Sequence, residues 1–111
     1  MQGKDALIIK KIIKYIDDIA DYTADMNLQS FQSDSKTVSA CAFSIAQIGE
    51  LAKFISDETQ AKHANIPWNA MRGMRNKIVH DYDNIDLIVL WGTIEKSLPE
   101  LKAGLEHIQK G

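Results

Sequence analysis

The cationic side chains of this sequence are concentrated in one segment that could bind a phosphate group. No Asp or Glu occurs between Thr59 and His80. The same segment contains four cationic residues: Lys62, Arg72, Arg75 and Lys77. It therefore carries four positive charges within a chain whose formal net charge is −2. A local patch of this kind can hold phosphate even in a mildly acidic protein. The alternative interpretation is an ordinary solvated helix face.

A solvated helix face does not explain the predicted position of Arg75. On a helix over residues 68–80, at about 100° per residue, Arg75 falls among apolar side chains. A guanidinium there needs an anionic partner, because an unpaired buried cation is very costly. A phosphate, a carboxylate of a partner chain or a structural salt bridge within the fold would each serve. His80 lies about 140° round the helix from Arg75. The two side chains meet only if the helix loosens near His80 or if two copies of it approach each other.

The patterning of the whole chain predicts an all-α protein. The chain has six Gly and two Pro, with little Val or Thr and no alternating apolar and polar run. Helices are predicted over residues 5–24, from a cap at Ser33, Asp34 or Ser35 to about residue 55, over residues 68–80, and from about residue 86. Residues 27–36 are predicted to be a polar loop, and residues 56–66 a less regular segment. Pro67 suits the first turn of a helix, whereas Pro99 is predicted to break or kink the last one.

The second predicted helix has two apolar stripes. The first consists of Val38, Cys41, Ala42, Ile45, Ile48, Ala52 and Ile55. The second consists of Phe43, Leu51 and Phe54. This pattern predicts burial on two sides, as in a central helix or a helix shared with a second subunit. Gly49 would permit a close backbone approach.

Length and composition predict one domain over residues 1–111 and exclude several classes of protein. The net charge of −2 is wrong for a strongly basic, nonspecific nucleic-acid coat. Cys41 is the single cysteine, so an intramolecular disulfide is excluded, and no zinc-ligand spacing is present. No stretch approaches the ~18 uncharged apolar residues of a membrane span, and no secretion signal is recognisable. We therefore expect a cytoplasmic protein.

Four ordered motifs resemble a known family. Residues 75–82 form an Arg-x-x-x-x-His-x-Tyr signature with an asparagine after the arginine. Three further stretches match in order: Gln-Ile-Gly-Glu at residues 47–50, Ile-Pro-Trp at 66–68 with Met-Arg-Gly-Met-Arg-Asn at 71–76, and Leu-Trp at 90–91 with Leu-Pro at 98–99. Together they resemble the HepT family of the HEPN superfamily. These proteins are the toxins of type II toxin-antitoxin pairs whose antitoxin is a minimal nucleotidyltransferase (MNT).

The resemblance implies an antiparallel four- to five-helix bundle that dimerises and cleaves RNA at a cleft near the two-fold axis, without a metal or other cofactor. His80 would accept and donate protons while a ribose 2′-OH attacks, and Arg75 would stabilise the charge developing on phosphorus. Arg72, Asn76 and Lys77 are the expected phosphate contacts, and Asn76 could instead orient His80. Transfer RNA is the substrate expected from the family.

The resemblance also implies a role for Tyr82. The MNT partner would transfer AMP from ATP to its phenolic oxygen, which adds charge and bulk beside the cleft. On a continuing helix Tyr82 would return to within about 20° of the Arg75 azimuth. From the sequence alone, a half-buried anchor is the competing interpretation of this tyrosine. The alternative function is a non-catalytic helical module that binds a nucleotidyltransferase and presents Tyr82 to it.

Overall fold

The protein is an all-α bundle, as the patterning predicts. The computed structural model describes residues 3–111, so the first two residues of the predicted domain lie outside the described residues. The helices are α1 (Gly3–Thr23), α2 (Leu28–Gln32), α3 (Ser35–Ala52), α4 (Asp57–Lys62), α5 (Trp68–His80), α6 (Leu87–Gly92) and α7 (Leu98–Lys110). A 3₁₀ turn (Tyr82–Asn84) follows α5, and a π-helical turn (Thr93–Ser97) joins α6 to α7. Residues 3–111 contain no strand. None of these helices is long and apolar enough to cross a membrane.

Helix α3 is the central helix of the bundle, because it packs on both α1 and α5. Its predicted N-cap is confirmed at Asp34, whose side chain accepts a hydrogen bond from the Thr37 N–H. Its first apolar stripe lies in the core, where burial raises the pKa of the Cys41 thiol to about 11. The stripe of α1, formed by isoleucines at helical spacing, packs against it.

Helices α3 and α5 run antiparallel and cross closely. A Cβ atom added to Gly49 would lie 2.3 Å from Arg75 Cβ and 2.5 Å from the Met71 carbonyl oxygen. Ten residues earlier on α3, Ser39 contacts Tyr82, which follows the C-terminus of α5. The predicted close approach at Gly49 is therefore present, and it is made by the helix that carries the basic segment.

The second apolar stripe of α3 is not buried within the chain. Phe43 is 58% exposed and Phe54 is 54% exposed, while Leu51 is half-buried. Two-sided packing of α3 thus arises from α1 and α5, and not from this stripe. Large apolar side chains left in solvent are typical of an interaction surface when they are contiguous.

The predicted loop over residues 27–36 is wrong, because α2 lies within it. Asn27 and Ser30 form a reciprocal capping box at the start of α2. The Phe31 side chain is fully buried, and its ring centroid lies 5.0 Å from that of Trp91. The polar composition of residues 27–36 does not indicate that Phe31 packs in the core, because its partner Trp91 is sixty residues away in the sequence.

The sequence predicts a break or a kink at Pro99, and the structure contains no break there. The chain stays helical from Leu87 to Lys110, and Pro99 lies in the first turn of α7. Just before it, the Leu98 N–H donates to the Thr93 carbonyl, which is the i to i−5 bond of a π-turn. The wider turn changes the hydrogen-bond register where proline supplies no N–H, so the helix continues.

A buried carboxylate fixes the segment between α3 and α5, which contains the short helix α4. Asp5 on α1 is 1% exposed, and its oxygens accept hydrogen bonds from the Ser56 N–H (3.0 Å), the Ser56 hydroxyl (2.6 Å) and the Thr59 hydroxyl (2.6 Å). Burial by itself raises the pKa of the Asp5 carboxyl, but the hydrogen bonds outweigh burial and hold the pKa below its ordinary value. Asp5 thereby ties α1 to the start of α4, where Ser56 is the N-cap.

Candidate active site

Helix α5 carries most of the predicted site residues, and its bounds are those predicted from the sequence. It begins directly after Pro67, which fixes the backbone at the first turn. It remains regular to its end, where the Asp81 N–H donates to the Lys77 carbonyl. The indole N–H of Trp68 donates to the His63 carbonyl and anchors the first turn to the preceding segment.

Arg75 has the intramolecular partner that its position in the apolar face demands. Its Nε atom lies 3.2 Å from Glu50 Oε2 on α3, and its side chain is 26% exposed. Of the three partners considered, the structure contains the salt bridge within the fold. Glu50 Oε2 is buried and has no hydrogen-bond partner among residues 3–111, so this contact is a charge contact without hydrogen-bond geometry.

Two neighbours complete the surroundings of this ion pair. Lys53 Nζ lies 3.6 Å from Glu50 Oε1, so one carboxylate faces two cations and the group retains a net positive charge. Arg75 Nη1 donates to Asn76 Oδ1 at 3.0 Å. Asn76 therefore contacts Arg75 in this structure. The guanidinium has further N–H groups beyond these contacts, and they can bind a phosphate oxygen.

His80 is the last residue of α5 and is exposed. Its ring forms no hydrogen bond with any of residues 3–111. Because α5 is regular through His80, a loosened helix does not bring His80 to Arg75. Within one chain the two side chains remain on different sides of α5, about 140° apart.

The other predicted phosphate contacts differ in their surroundings. Lys77 is exposed in the last turn of α5, where its charge complements the helix dipole. Arg72 is partly buried and is held by the side chains of Gln60 and Asn69. Arg72 lies one turn before Arg75, so these two arginines form a basic surface on one side of α5. Lys77 lies about 160° round the helix from Arg75 and is not part of that surface.

Tyr82 lies outside α5, in the 3₁₀ turn that follows it. The continuing helix that would return Tyr82 to the Arg75 azimuth is therefore absent. The ring is 43% exposed, and the hydroxyl shares a hydrogen bond of 3.1 Å with the Ser39 hydroxyl on α3. The ring also borders a cavity of about 240 Å³ between α3 and α6. The phenolic oxygen is thus accessible and is held at a defined position.

Sequence reasoning missed the partners of the predicted residues. Glu50 was part of a recognised motif but was not assigned to Arg75. The available signal was its position directly after Gly49, the small residue that brings α5 close to α3. Gln60, Asn69 and Ser39 had no comparable signal, because amides and hydroxyls occur on every helix surface.

The fold defines a class. This all-α bundle, which has no strand in residues 3–111, has the architecture of a HEPN-like bundle. The family model described as "Ribonuclease HepT-like" matches residues 12–108 of this chain. The chain therefore belongs to the HepT-like ribonuclease family, and its enzyme class is ribonuclease.

Relatives agree with this family over nearly the whole chain. A protein described as "Probable ribonuclease HepT" from Thermococcus cleftensis is 33% identical over 102 residues, which cover 92% of this chain and 93% of the relative. A protein described as "Putative RNase" from Methanocaldococcus jannaschii is 33% identical over 99 residues, which cover 89% and 85%. Another described as "Putative RNase" from Caldanaerobacter subterraneus is 28% identical over 100 residues, which cover 90% and 89%. No solved structure matches the chain significantly.

Proposed function

We propose that this protein is a metal-independent endoribonuclease toxin whose active site combines Arg75 of one protomer with His80 of another. The regularity of α5 through His80 supports a site formed by two protomers, because it keeps the Arg75 and His80 side chains apart within one chain. The exposed apolar side chains of Phe43 on α3 and Val79 on α5 support a second copy as the covering partner.

The proposed mechanism uses these residues in distinct roles. His80 accepts the proton of the attacking ribose 2′-OH and returns a proton to the leaving oxygen. Arg75, oriented by Glu50 and Asn76, stabilises the negative charge that develops on the phosphoryl oxygens. Arg72 and Lys77 bind phosphates beside the scissile one, and a transfer RNA is the proposed substrate.

A mixing experiment tests the shared site. Arg75→Ala and His80→Ala are each expected to abolish cleavage of RNA in buffer containing a chelator while the circular dichroism spectrum stays helical. When the two inactive proteins are unfolded together and refolded, mixed dimers contain one intact site and cleavage should return. A mixture that stays inactive despite proven subunit exchange would argue against a site shared between protomers. Wild-type rates in either single variant would contradict the assigned roles.

Neutralisation by modification of Tyr82 is the second part of the proposal. The exposed Tyr82 side chain, whose hydroxyl is held by Ser39, suits AMP transfer by an MNT antitoxin. The phenolic oxygen would lose its proton and bond to the α-phosphorus of ATP, and pyrophosphate would leave. The AMP phosphate would add negative charge next to the basic surface of α5 and a nucleoside at its edge. The competing function, a non-catalytic module that presents Tyr82 to a nucleotidyltransferase, uses the same residue without requiring cleavage.

Intact-mass spectrometry distinguishes these possibilities. After incubation with the MNT partner, ATP and Mg²⁺, wild-type protein should gain one or more units of about 329 Da and lose RNA cleavage. Tyr82→Phe should gain no mass and should continue to cleave RNA. The same gain on Tyr82→Phe would exclude Tyr82 as the acceptor. Mass gain on a wild-type protein that never cleaves RNA would favour the non-catalytic module.

A further inference from the structure

Arg72 is held entirely by neutral groups. Its Nη1 atom donates to Gln60 Oε1 at 3.3 Å, and its Nη2 atom donates to Asn69 Oδ1. It forms no salt bridge with any carboxylate of residues 3–111. Arg75, one turn later, is paired with Glu50. Amide oxygens satisfy hydrogen bonds of a guanidinium but leave its charge uncompensated, so Arg72 retains a full positive charge for an external anion.

The Gln60 side chain, which holds Arg72, is itself fixed at both of its polar atoms. The Gln60 side chain donates through Nε2 to the Ile55 carbonyl at 3.0 Å while its Oε1 accepts from Arg72. Gln60 lies on α4, whose start is anchored to the buried Asp5 carboxylate through Ser56. A side chain with both polar ends engaged has little freedom to move. The guanidinium is therefore oriented before any ligand arrives, which lowers the entropic cost of binding.

The position of Arg72 indicates which anion it binds. Residues three apart on a helix have Cβ atoms about 5–6 Å apart, so Arg72 and Arg75 are neighbours on α5. Two cations that are neighbours on one helix can contact adjacent phosphates of one strand. Gln60 and Asn69 also border an open depression of about 430 Å³, which is large enough for a nucleoside. The region lies in the segment from Thr59 to His80 that contains no acidic residue.

We propose that Gln60, Asn69 and Arg72 form a subsite that binds the RNA phosphate next to the scissile one, with its nucleoside in the adjoining depression. Arg72 contacts the phosphate, and Gln60 and Asn69 are positioning residues that hold the guanidinium without cancelling its charge. This subsite rests on the proposed ribonuclease function, because its ligand is the substrate strand.

The test uses two substitutions that change charge at the subsite without removing core contacts. Arg72→Gln removes the cation. Asn69→Asp places a carboxylate beside Arg72, and an acidic residue in the first turn of α5 favours the helix. The matched control is Asn27→Asp, which makes the same charge change at the N-cap of α2, where Asp also caps. Thermal unfolding of all three proteins should remain close to that of the wild type.

Binding is measured in the His80→Ala background by fluorescence anisotropy with a short, labelled, single-stranded RNA at several salt concentrations. Arg72→Gln and Asn69→Asp are each expected to weaken RNA binding about tenfold. Each should also reduce the slope of the logarithm of the association constant against the logarithm of the salt concentration by about 0.7, which is the value for one phosphate contact on a single strand. Asn27→Asp should leave the slope unchanged. In the cleavage-competent protein the same two substitutions should raise KM about tenfold and leave kcat within about twofold.

The outcomes separate this subsite from the proposed function. Wild-type affinity and salt slope in both subsite variants, or failure of the His80→Ala protein to bind RNA, would overturn the subsite. Wild-type protein that binds RNA with the expected slope but does not cleave it would contradict the ribonuclease mechanism and leave the subsite standing.

Discussion

Two arginines one turn apart on α5 have opposite surroundings. Arg75 faces the Glu50 carboxylate, whereas Arg72 faces two amide oxygens. A carboxylate orients a guanidinium and stabilises it in a partly apolar place, but it also cancels charge. Amides orient a guanidinium and leave its charge in place. This difference agrees with the roles proposed above, in which Arg75 stabilises the transition state and Arg72 binds the RNA strand.

Asp5 is the residue whose chemistry contributes most clearly to stability. It is a buried carboxylate with three donors, and all of them come from the segment around α4. Breaking such a cluster leaves buried polar groups without partners, which costs more than the average hydrogen bond.

We predict that Asp5→Asn lowers the free energy of unfolding by about 3 kcal/mol at pH 7, because an amide replaces a charged acceptor of two hydroxyls and one N–H. The folded-state pKa of Asp5 lies below the ordinary value of 3.8. Its stabilisation is therefore present above about pH 3.8 and is lost as the pH falls through the folded-state value. Urea unfolding should show that the difference in the free energy of unfolding between wild type and Asp5→Asn becomes smaller below that pH.

The control for this prediction is Asp21→Asn, an exposed aspartate of the same helix, which should change stability little. If the difference in the free energy of unfolding between wild type and Asp5→Asn is the same at pH 7 and well below pH 3.8, the charge of Asp5 does not contribute to stability.

At the scale of elements, the crossing of α3 and α5 sets the position of the site. Gly49 lets the two backbones approach until Arg75 Cβ nearly fills the place of a missing side chain. That approach brings Arg75 to Glu50, the next residue of α3. The ion pair is thus a consequence of helix packing at one small residue.

Gly49→Ala is predicted to lower the free energy of unfolding by about 2–3 kcal/mol and to reduce RNA cleavage, because its Cβ meets a backbone carbonyl and the start of the Arg75 side chain. The matched control is Gly73→Ala on α5, where an added Cβ meets nothing within 4 Å. That control should raise stability by about 0.5–1 kcal/mol through helix propensity. Chemical denaturation and cleavage assays check both. Equal stability of the two variants would mean that α3 and α5 separate at little cost.

At the scale of the whole molecule, one side of the α3 and α5 pair is left apolar and exposed. Gly49 of α3 packs against residues 71–75 of α5, and Ser39 of α3 contacts Tyr82. Phe43 lies between Gly49 and Ser39 along α3, so it is at about the same height in the helix pair as Val79. Both side chains are more than half exposed. The surface adjoins His80, which in the proposed shared site meets Arg75 of a second chain.

If this surface joins two copies, Phe43→Glu should convert a dimer into a monomer and abolish cleavage while the helical content stays unchanged, since a charge cannot be buried there without a partner. Sedimentation velocity at micromolar concentration measures the change. Leu7→Glu is the control, because Leu7 is 55% exposed on α1. It should remain dimeric. A wild-type protein that is monomeric, or a dimeric Phe43→Glu variant, would exclude this surface as the dimer contact.

The sequence by itself determined what depends on local physics. Apolar spacing and the proline at position 67 predicted the bounds of α5. Asp34 was one of three candidate caps for α3, and the last helical region was predicted to begin near residue 86, where Asp86 is the N-cap of α6. The position of Arg75 in an apolar face was enough to predict that it needs an anionic partner. Each of these features lies within one or two helical turns, where propensity, caps and periodicity act directly.

Only the tertiary structure decided which groups meet across the chain. It selected Glu50 for Arg75, Gln60 for Arg72 and the α4 segment for Asp5. It also turned a polar stretch into α2 by burying Phe31 against Trp91, and it carried the last helix through Pro99 with a π-turn. These outcomes depend on packing between residues far apart in sequence, which leave no local periodicity or propensity from which they could be predicted.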